Sequence, residues 1–290
     1  VLVLPSYSTA KSIFGALALM RLEKLYPGAK DQKVADYIPE CAANGHWGDV
    51  TFLNALDMAT GNFGSAKFEV DEDADHTTGL FLQDDHAAKI RYSCHQYKRR
   101  AKPGSTWVYH TSDTYILGTA LNSYLAKTAG PGLDIYNDVM IKDVWKGLGL
   151  SPLLATTRRT YDKVGHPFTG WGLVYHGDDI ARIAIFLESP KAEALFDNGL
   201  LNAALQRDSG NRGLPAGFPG IRYQLGFWAR DVKPVTGCAN PTWVPFMSGW
   251  GGISVALMPN KTVYYAFSDG QTYNWGEAAS ESNRIRGYCS

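Results

Sequence analysis

The chain of 290 residues is 45% apolar and carries equal numbers of basic and acidic side chains, 28 of each. That apolar content excludes a disordered chain, and the length suits one large domain or two closely packed lobes. The charge balance leaves no net field to recruit nucleic acid or an anionic membrane, and the longest uncharged apolar stretch, 12–20, is well short of the roughly 20 residues that span a bilayer.

VLVLP at 1–5 reads as a strand already inside a fold. Pro5 turns the chain ahead of Ser8, and the run from Ile13 to Met20 then reads as a helix buried on nearly every side. Ser8 and Lys11 stand at i and i+3. This spacing stacks both side chains on one face of the first turn and leaves the Ser8 backbone N–H among the donors that a helix start does not pair. A nucleophile, a base and an oxyanion donor would meet there. An N-capping serine followed by a solvent-facing lysine has the same spelling, so S-x-x-K needs support from the rest of the chain.

Further along, TFLNALDMATG predicts a short amphipathic helix with Thr51 or Asp49 as cap and Gly61 as its stop. Residues 62–86 are acidic and weakly periodic, an irregular excursion able to wall a cleft, and RRAK at 99–102 reads as a solvated loop. KPGSTWVYHTSDTYILG gives a turn, a brief extended segment and a helix from about Asp113, capped by Ser112 or Asp113. GDDIARIAIFLES predicts a helix opened by Asp178 and closed at Ser189-Pro190. Beyond Pro219 the texture changes to short strands, YQLGFWARD, GISVALMP and TVYYAFS, and a modest amphipathic helix closes the chain. The fold class expected is α+β, an antiparallel sheet flanked by helices beside a mostly helical lobe. The division expected is a sheet lobe of 1–12 and 206–290 and a helical lobe of 13–205, with the active site between them.

The four cysteines, Cys41, Cys94, Cys238 and Cys289, lack the C-x-x-C spacing of a structural zinc site. Their even count fits two disulfides, with Cys41–Cys94 and Cys238–Cys289 the most local of three pairings, or four buried thiols. Bridges would imply an oxidising compartment, periplasmic or extracellular. The seven histidines show no H-x-x-x-H pattern, so no metal is expected.

Four stretches, in this order, resemble one family. STAKS at 8–12 matches S-x-x-K; DYIPE with WGDVTFLNALDMATG matches a long structural segment; PGSTWVYHTSDTYILG at 103–118 matches a Y-x-N or Y-x-S motif followed by D-T-x-x-L-G; and SGWGGISVALMP at 248–259 matches the S-G-x-G-G strand that replaces K-T-G in the hydrolase branch. The chain resembles serine hydrolases of the class C β-lactamase and penicillin-binding-protein superfamily, most of all the esterases and 6-aminohexanoate-oligomer hydrolases. Two departures stand out. The N-terminal helix and strands usual ahead of S-x-x-K are absent, which leaves a fragment or a trimmed sheet as alternatives, and Thr111 occupies the place of Asn or Ser.

The resemblance implies an acyl-enzyme mechanism without cofactor or metal, acting on a small ester or amide, with Ser8 as nucleophile, Lys11 as base and Tyr109 as proton shuttle to the leaving group. The oxyanion would sit between the N–H groups of Ser8 and Trp250. Gly249, Gly251, Ser248 and Thr111 would contact substrate, Gly172 would shape the cleft floor, and Trp171, Tyr175 or Trp250 would line a pocket. Met247 stands where K-T-G relatives carry a cation. With Trp250 it predicts an apolar lip for a neutral acyl chain, with Arg284 or Arg286 as alternative sources of a cation. A β-lactamase or D-alanyl peptidase, or an acylation sensor without turnover, are the competing readings.

Overall fold

The computed structural model describes residues 2–289. Strand β1 (Val3–Pro5) leads into a π-helical turn (Lys11–Ala16) that continues as α1 (Leu17–Leu25). There follow α2 (Pro39–Asn44), α3 (Phe52–Leu56), α4 (Asp75–Leu82), α5 (His86–His95), α6 (Thr111–Ala129) and a second π-helical segment (Ile135–Trp145). After them come β2 (Val174–His176), α7 (Gly177–Leu187), α8 (Pro190–Leu195) and α9 (Asn198–Ala204). The last third holds β3 (Leu214–Pro215), β4 (Ile221–Gln224), β5 (Phe227–Asp231), α10 (Lys233–Thr236), β6 (Trp243–Gly249), β7 (Ile253–Leu257), β8 (Val263–Phe267) and α11 (Gly276–Ile285).

This is an α+β fold. Strands β3 to β8 form a six-stranded sheet in simple chain order, every neighbour antiparallel. β1 does not join it: it pairs with β2 in a ladder of its own, Val3 opposite His176. The helix of the S-x-x-K segment is covered all round, with Ile13, Phe14, Leu17 and Leu19 at 0% exposure. Its apolar residues at successive positions have no solvent face to avoid, because α3, α6 and the second π-helical segment pack around it. Ser12 fixes it to the sheet by donating to the Gly226 carbonyl at the β4–β5 turn, 2.5 Å. A smaller core of Val232, Val244, Phe246, Met258, Trp275 and Ala279 seats α11 on the sheet.

Several local expectations are corrected. Residues 62–86 are not wholly irregular, since α4 lies within them. α3 is capped by Thr51, whose side chain accepts from Asn54 in a reciprocal capping box, and it ends at Asp57, ahead of Gly61. α6 starts at Thr111, so Ser112 and Asp113 lie inside its first turn and neither caps it. α7 carries Asp178 in its first turn as expected, and Asp179 beside it accepts from the N–H of the N-cap His176. The basic stretch at 99–102 is not merely solvated: Arg99 pairs with Asp49 and donates to Asn62 and the His46 carbonyl, tying three segments together.

Both cysteine pairs form the local pairing. Cys41–Cys94 bridges α2 and α5, and Cys238–Cys289 ties the chain after α11 to the turn after α10, with Cα atoms 4.9 and 5.0 Å apart. The linked residues are 53 and 51 positions apart in sequence. Closing loops of that length in the unfolded chain stabilises the fold by about 4 kcal/mol each. Reduction and alkylation are therefore expected to lower the melting temperature by roughly 10–20 °C. An unchanged melting curve with both thiol pairs alkylated would show that the bridges do not constrain unfolding.

Candidate active site

A tight turn delivers Ser8 to the mouth of a cleft. The buried Ser6 exchanges two hydrogen bonds with Leu173, its N–H donating to the carbonyl at 2.9 Å and its Oγ accepting from the N–H at 3.1 Å. Thr9 locks the other side of the turn, donating to the Ser6 carbonyl at 2.7 Å and meeting the Tyr175 hydroxyl at 3.0 Å. Between these anchors Tyr7 takes a left-handed backbone with φ 40°. For a residue with a Cβ this conformation costs on the order of 1 kcal/mol, and it is held by the bonds on either side.

Lys11 is 1% exposed and its ammonium position is fully enclosed by acceptors. Nζ lies 2.9 Å from Ser8 Oγ, 3.1 Å from Thr111 Oγ1 and 3.3 Å from the Gly170 carbonyl. The close approach at Gly170 requires its residue type, because an added Cβ there would come within 2.2 Å of Thr114 Oγ1. Burial lowers the Lys11 pKa to about 8, against an opposing pull from the Glu72 carboxylate. A neutral amine beside the serine is thus within reach near physiological pH.

Tyr109 closes the group from the far side. Its ring lies 5.0 Å from Lys11 Nζ, and its hydroxyl engages Ser8. Burial pushes the phenol pKa well up, with Glu72 pushing the same way, so the Tyr109 hydroxyl stays protonated. Thr111 sits on the other side of Lys11, 4% exposed, at the first turn of α6.

The cleft in front of these groups has a volume of about 620 Å³ and is lined by Ser8 and Tyr109, by Ser248, Gly249 and Trp250 at the end of β6, and by aromatic rings that include Phe68, Trp228 and Tyr273. Gly249 brings that strand end against the turn that bears Ser8: a Cβ added there would stand 3.0 Å from the Ser6 carbonyl. Trp250, 60% exposed, packs edge-on against Tyr7 with ring centres 5.4 Å apart. Gly251 lies in the turn beyond, where its carbonyl accepts from Ser268 Oγ at 3.1 Å.

Six expectations do not line the cleft: Thr111 stands behind Lys11, Gly251 is buried in the turn after β6, and four more lie elsewhere. Trp171 stacks on Phe168 at 4.0 Å and meets Phe81 edge-on, and Gly172 folds back on the Phe168 carbonyl, so both brace the segment behind Lys11. Tyr175 is fully buried beneath the turn. Met247 has 0% exposure and belongs to the core, so it forms no lip. Its neighbours Phe246 and Ser248 face the cleft instead, as the alternation of a strand demands. Arg284 and Arg286 are exposed on and after α11, whereas a cation does line the cleft: Arg230, on β5, held by Asn274 at 3.2 Å and over the Trp275 ring at 5.3 Å.

Glu72 was not legible as a site residue. It accepts from the Thr111 N–H at 2.8 Å and from the Thr111 hydroxyl, and it lines the cleft beside Ser8. This external carboxylate satisfies a donor at the start of α6 that no local side chain caps. The segment bearing it is pinned by Asp71, which accepts from the Gly64 and Ser65 N–H groups at 2.7 and 2.8 Å and from His110 Nε2 at 2.9 Å. Burial lowers the His110 pKa, but Asp113 and Asp71 outweigh it and hold the ring up at about 9. The pinning ion pair therefore persists at neutral pH. Sequence offered only an acidic run with no spacing that points 39 residues ahead to Thr111. Among the described residues no cluster of His, Cys, Asp and Glu is arranged to hold a metal, and no helix is long and apolar enough to cross a membrane.

No family model matches the chain, and no curated protein matches it by sequence. Solved structures do. A putative 6-aminohexanoate-dimer hydrolase from Bacillus anthracis superimposes with a TM-score of 0.68 at 18% identity, over 98% of this chain and 71% of that one. EstCE1, a hydrolase with promiscuous acyltransferase activity, gives 0.66 at 16% identity over 95% and 83%. A penicillin-binding protein from Bacillus halodurans gives 0.65 at 13% identity over 98% and 86%. The chain has the fold that these solved structures share.

Proposed function

We propose that the chain is a serine hydrolase that cleaves ester or amide bonds of a small substrate through a covalent acyl-enzyme. The observation that carries this reading is the convergence on Ser8: Lys11 Nζ at 2.9 Å, with the protonated Tyr109 on the other side, at the mouth of an aromatic cleft. In this reading Lys11 takes the Ser8 proton as Oγ attacks the acyl carbon, and Tyr109 gives a proton to the departing alcohol or amine. The N–H groups of Ser8 and Trp250 serve the developing oxyanion in this reading, while Ser248 and Gly249 offer the strand end against which substrate lies. In the division at 12/13 and 205/206, the helical part, 13–205, carries Tyr109 and Glu72, while 1–12 with 206–290 carries Ser8, Lys11 and the opposing wall. Two disulfides suit a periplasmic or secreted location.

The similar structures named as a 6-aminohexanoate-dimer hydrolase and as a hydrolase with promiscuous acyltransferase activity support the ester or amide class. Arg230 favours a second reading, since a cleft guanidinium is able to pair the carboxylate of a β-lactam or peptide. Aromatic walls around Ser8 favour the neutral acyl chain. The deciding experiment is covalent labelling with a fluorophosphonate probe, mapped by mass spectrometry, followed by turnover of p-nitrophenyl butyrate and benzylpenicillin. Labelling at Ser8 with a higher kcat/KM for the ester is expected. A higher kcat/KM for penicillin would replace the esterase reading with the lactamase one, and labelling without turnover of either would leave a sensor.

A further inference from the structure

Glu72 and Lys11 share one hydroxyl. The Thr111 Oγ1 proton is directed to the Glu72 carboxylate, and Lys11 Nζ donates to the same oxygen at 3.1 Å. A hydroxyl has a single proton, so with Glu72 holding it, Thr111 faces Lys11 only as an acceptor. The Gly170 carbonyl, 3.3 Å from Nζ, is an acceptor in every state. A neutral lysine amine has two N–H bonds and one lone pair. With its two protons drawn to Thr111 and Gly170, its lone pair is left for the third neighbour, Ser8 Oγ at 2.9 Å. Were the Thr111 hydroxyl free to rotate, it would donate to that lone pair and compete with the serine for it.

From this geometry we infer that Glu72 is a positioning residue for the catalytic base, acting through Thr111 to aim the Lys11 lone pair at Ser8. The inference rests on the serine-hydrolase reading and adds a residue to it. The Ser8 O–H bond breaks as its proton moves to the Lys11 lone pair, and the oxygen pair forms the bond to the acyl carbon, whose C=O π pair moves onto oxygen and returns as the bond to the leaving group breaks. The proton then returns through Tyr109 to the leaving group, restoring the neutral amine. Glu72 neither gains nor loses a proton.

The charged neighbours also make the role measurable. Around Lys11 Nζ stand the Ser8, Thr111 and Tyr109 hydroxyl-bearing side chains and the Gly170 carbonyl, and Glu72 is the charge that raises its pKa. On α6, His110 and Asp113 are engaged with each other and with Asp71, and Asp57 after α3 is turned to the Leu225 N–H. Removing the Glu72 charge is thus expected to move the acid limb of the rate profile to lower pH even as the plateau falls. That shift reports the Glu72 charge alone, so the route through Thr111 is read from the double variant.

The test is the pH profile of kcat/KM for p-nitrophenyl butyrate with the full chain, for wild type, Glu72→Gln, Thr111→Val and the double variant. Glu72→Gln is expected to lower the plateau by about 10²-fold through kcat, the scale of a misaimed reacting group. The double variant is expected to fall no further than Thr111→Val, within the factor of about 2 to which independent measurements agree. Thr111→Ser, which restores the hydroxyl, is expected to recover most of the rate lost in Thr111→Val. A Glu72→Gln profile that coincides with wild type, or losses that multiply in the double variant, would overturn the inference. Should Glu72→Gln fail to fold, equal rates for Thr111→Val and Thr111→Ser would overturn it instead. A wild-type chain left unlabelled at Ser8 by fluorophosphonate sinks the hydrolase reading itself; a labelled, active chain with unchanged variants sinks only the role of Glu72.

Discussion

Ser8→Ala is expected to abolish both covalent labelling and turnover while the melting temperature stays close to wild type. The change removes one hydroxyl from a turn whose conformation is held by Ser6 and Thr9, not by Ser8 itself. Lys11→Met should lose activity to the same extent, and the two losses should not add, because a nucleophile without its base and a base without its nucleophile fail at the same step. The wild-type profile supplies a further check. Only the neutral amine accepts the serine proton, so kcat/KM should fall about tenfold per pH unit below the Lys11 pKa of about 8 and level off above it. Burial that lowers this pKa from 10.5 also opposes folding by about 3 kcal/mol at neutral pH, a cost fully present below about 8 and relieved as pH rises toward 10.5. Lys11→Met removes that cost, so its inactivity should come without a collapse in stability. Residual turnover in Ser8→Ala at more than a thousandth of wild type would move the nucleophile elsewhere.

Tyr109→Phe is expected to slow acyl transfer by about 10²- to 10⁴-fold, the usual worth of a positioned proton donor. The ring would keep its packing against Trp228, 5.7 Å between centres, and its position over Lys11, so the variant isolates the hydroxyl. Because burial holds the phenol protonated, the loss should be larger for substrates with poor leaving groups, such as alkyl amides, than for p-nitrophenyl esters, whose leaving group departs without a proton. Equal losses for both would return Tyr109 to a packing role.

The parts of the site that sequence exposed are those whose chemistry is local. Ser8 and Lys11 are three residues apart, and Tyr109 and Thr111 lie in one short segment, so spacing alone presents them together. The stretches of β4–β5, β7 and β8 were legible for the same reason, since each pairs with a near neighbour along the chain, although β4 and β5 read as one strand and β6 was not among them. What stayed hidden is carried by contacts between distant segments. Gly170 meets Lys11 across 159 residues, and Glu72 replaces the local cap expected for α6 from 39 residues away. Met247 is a different case. Placing Ser248 toward substrate already turns its neighbour on the strand toward the core, so the apolar lip conflicted with the period of two that sheet geometry imposes.

The segment from Gly64 to Asp73 forms one wall of the cleft with Phe68, Glu69 and Glu72, and it is riveted to α6 by the buried contact of Asp71 with His110. In many enzymes the loops that choose a substrate diverge freely over a scaffold that keeps the chemistry. Here the two are fused, because the stretch that shapes the wall also contacts the hydroxyl beside the base. Lineages or laboratory libraries that vary this wall should therefore drift in turnover as they drift in preference, and grafts of it should succeed only when Asp71, Glu72, His110 and Thr111 travel as a set.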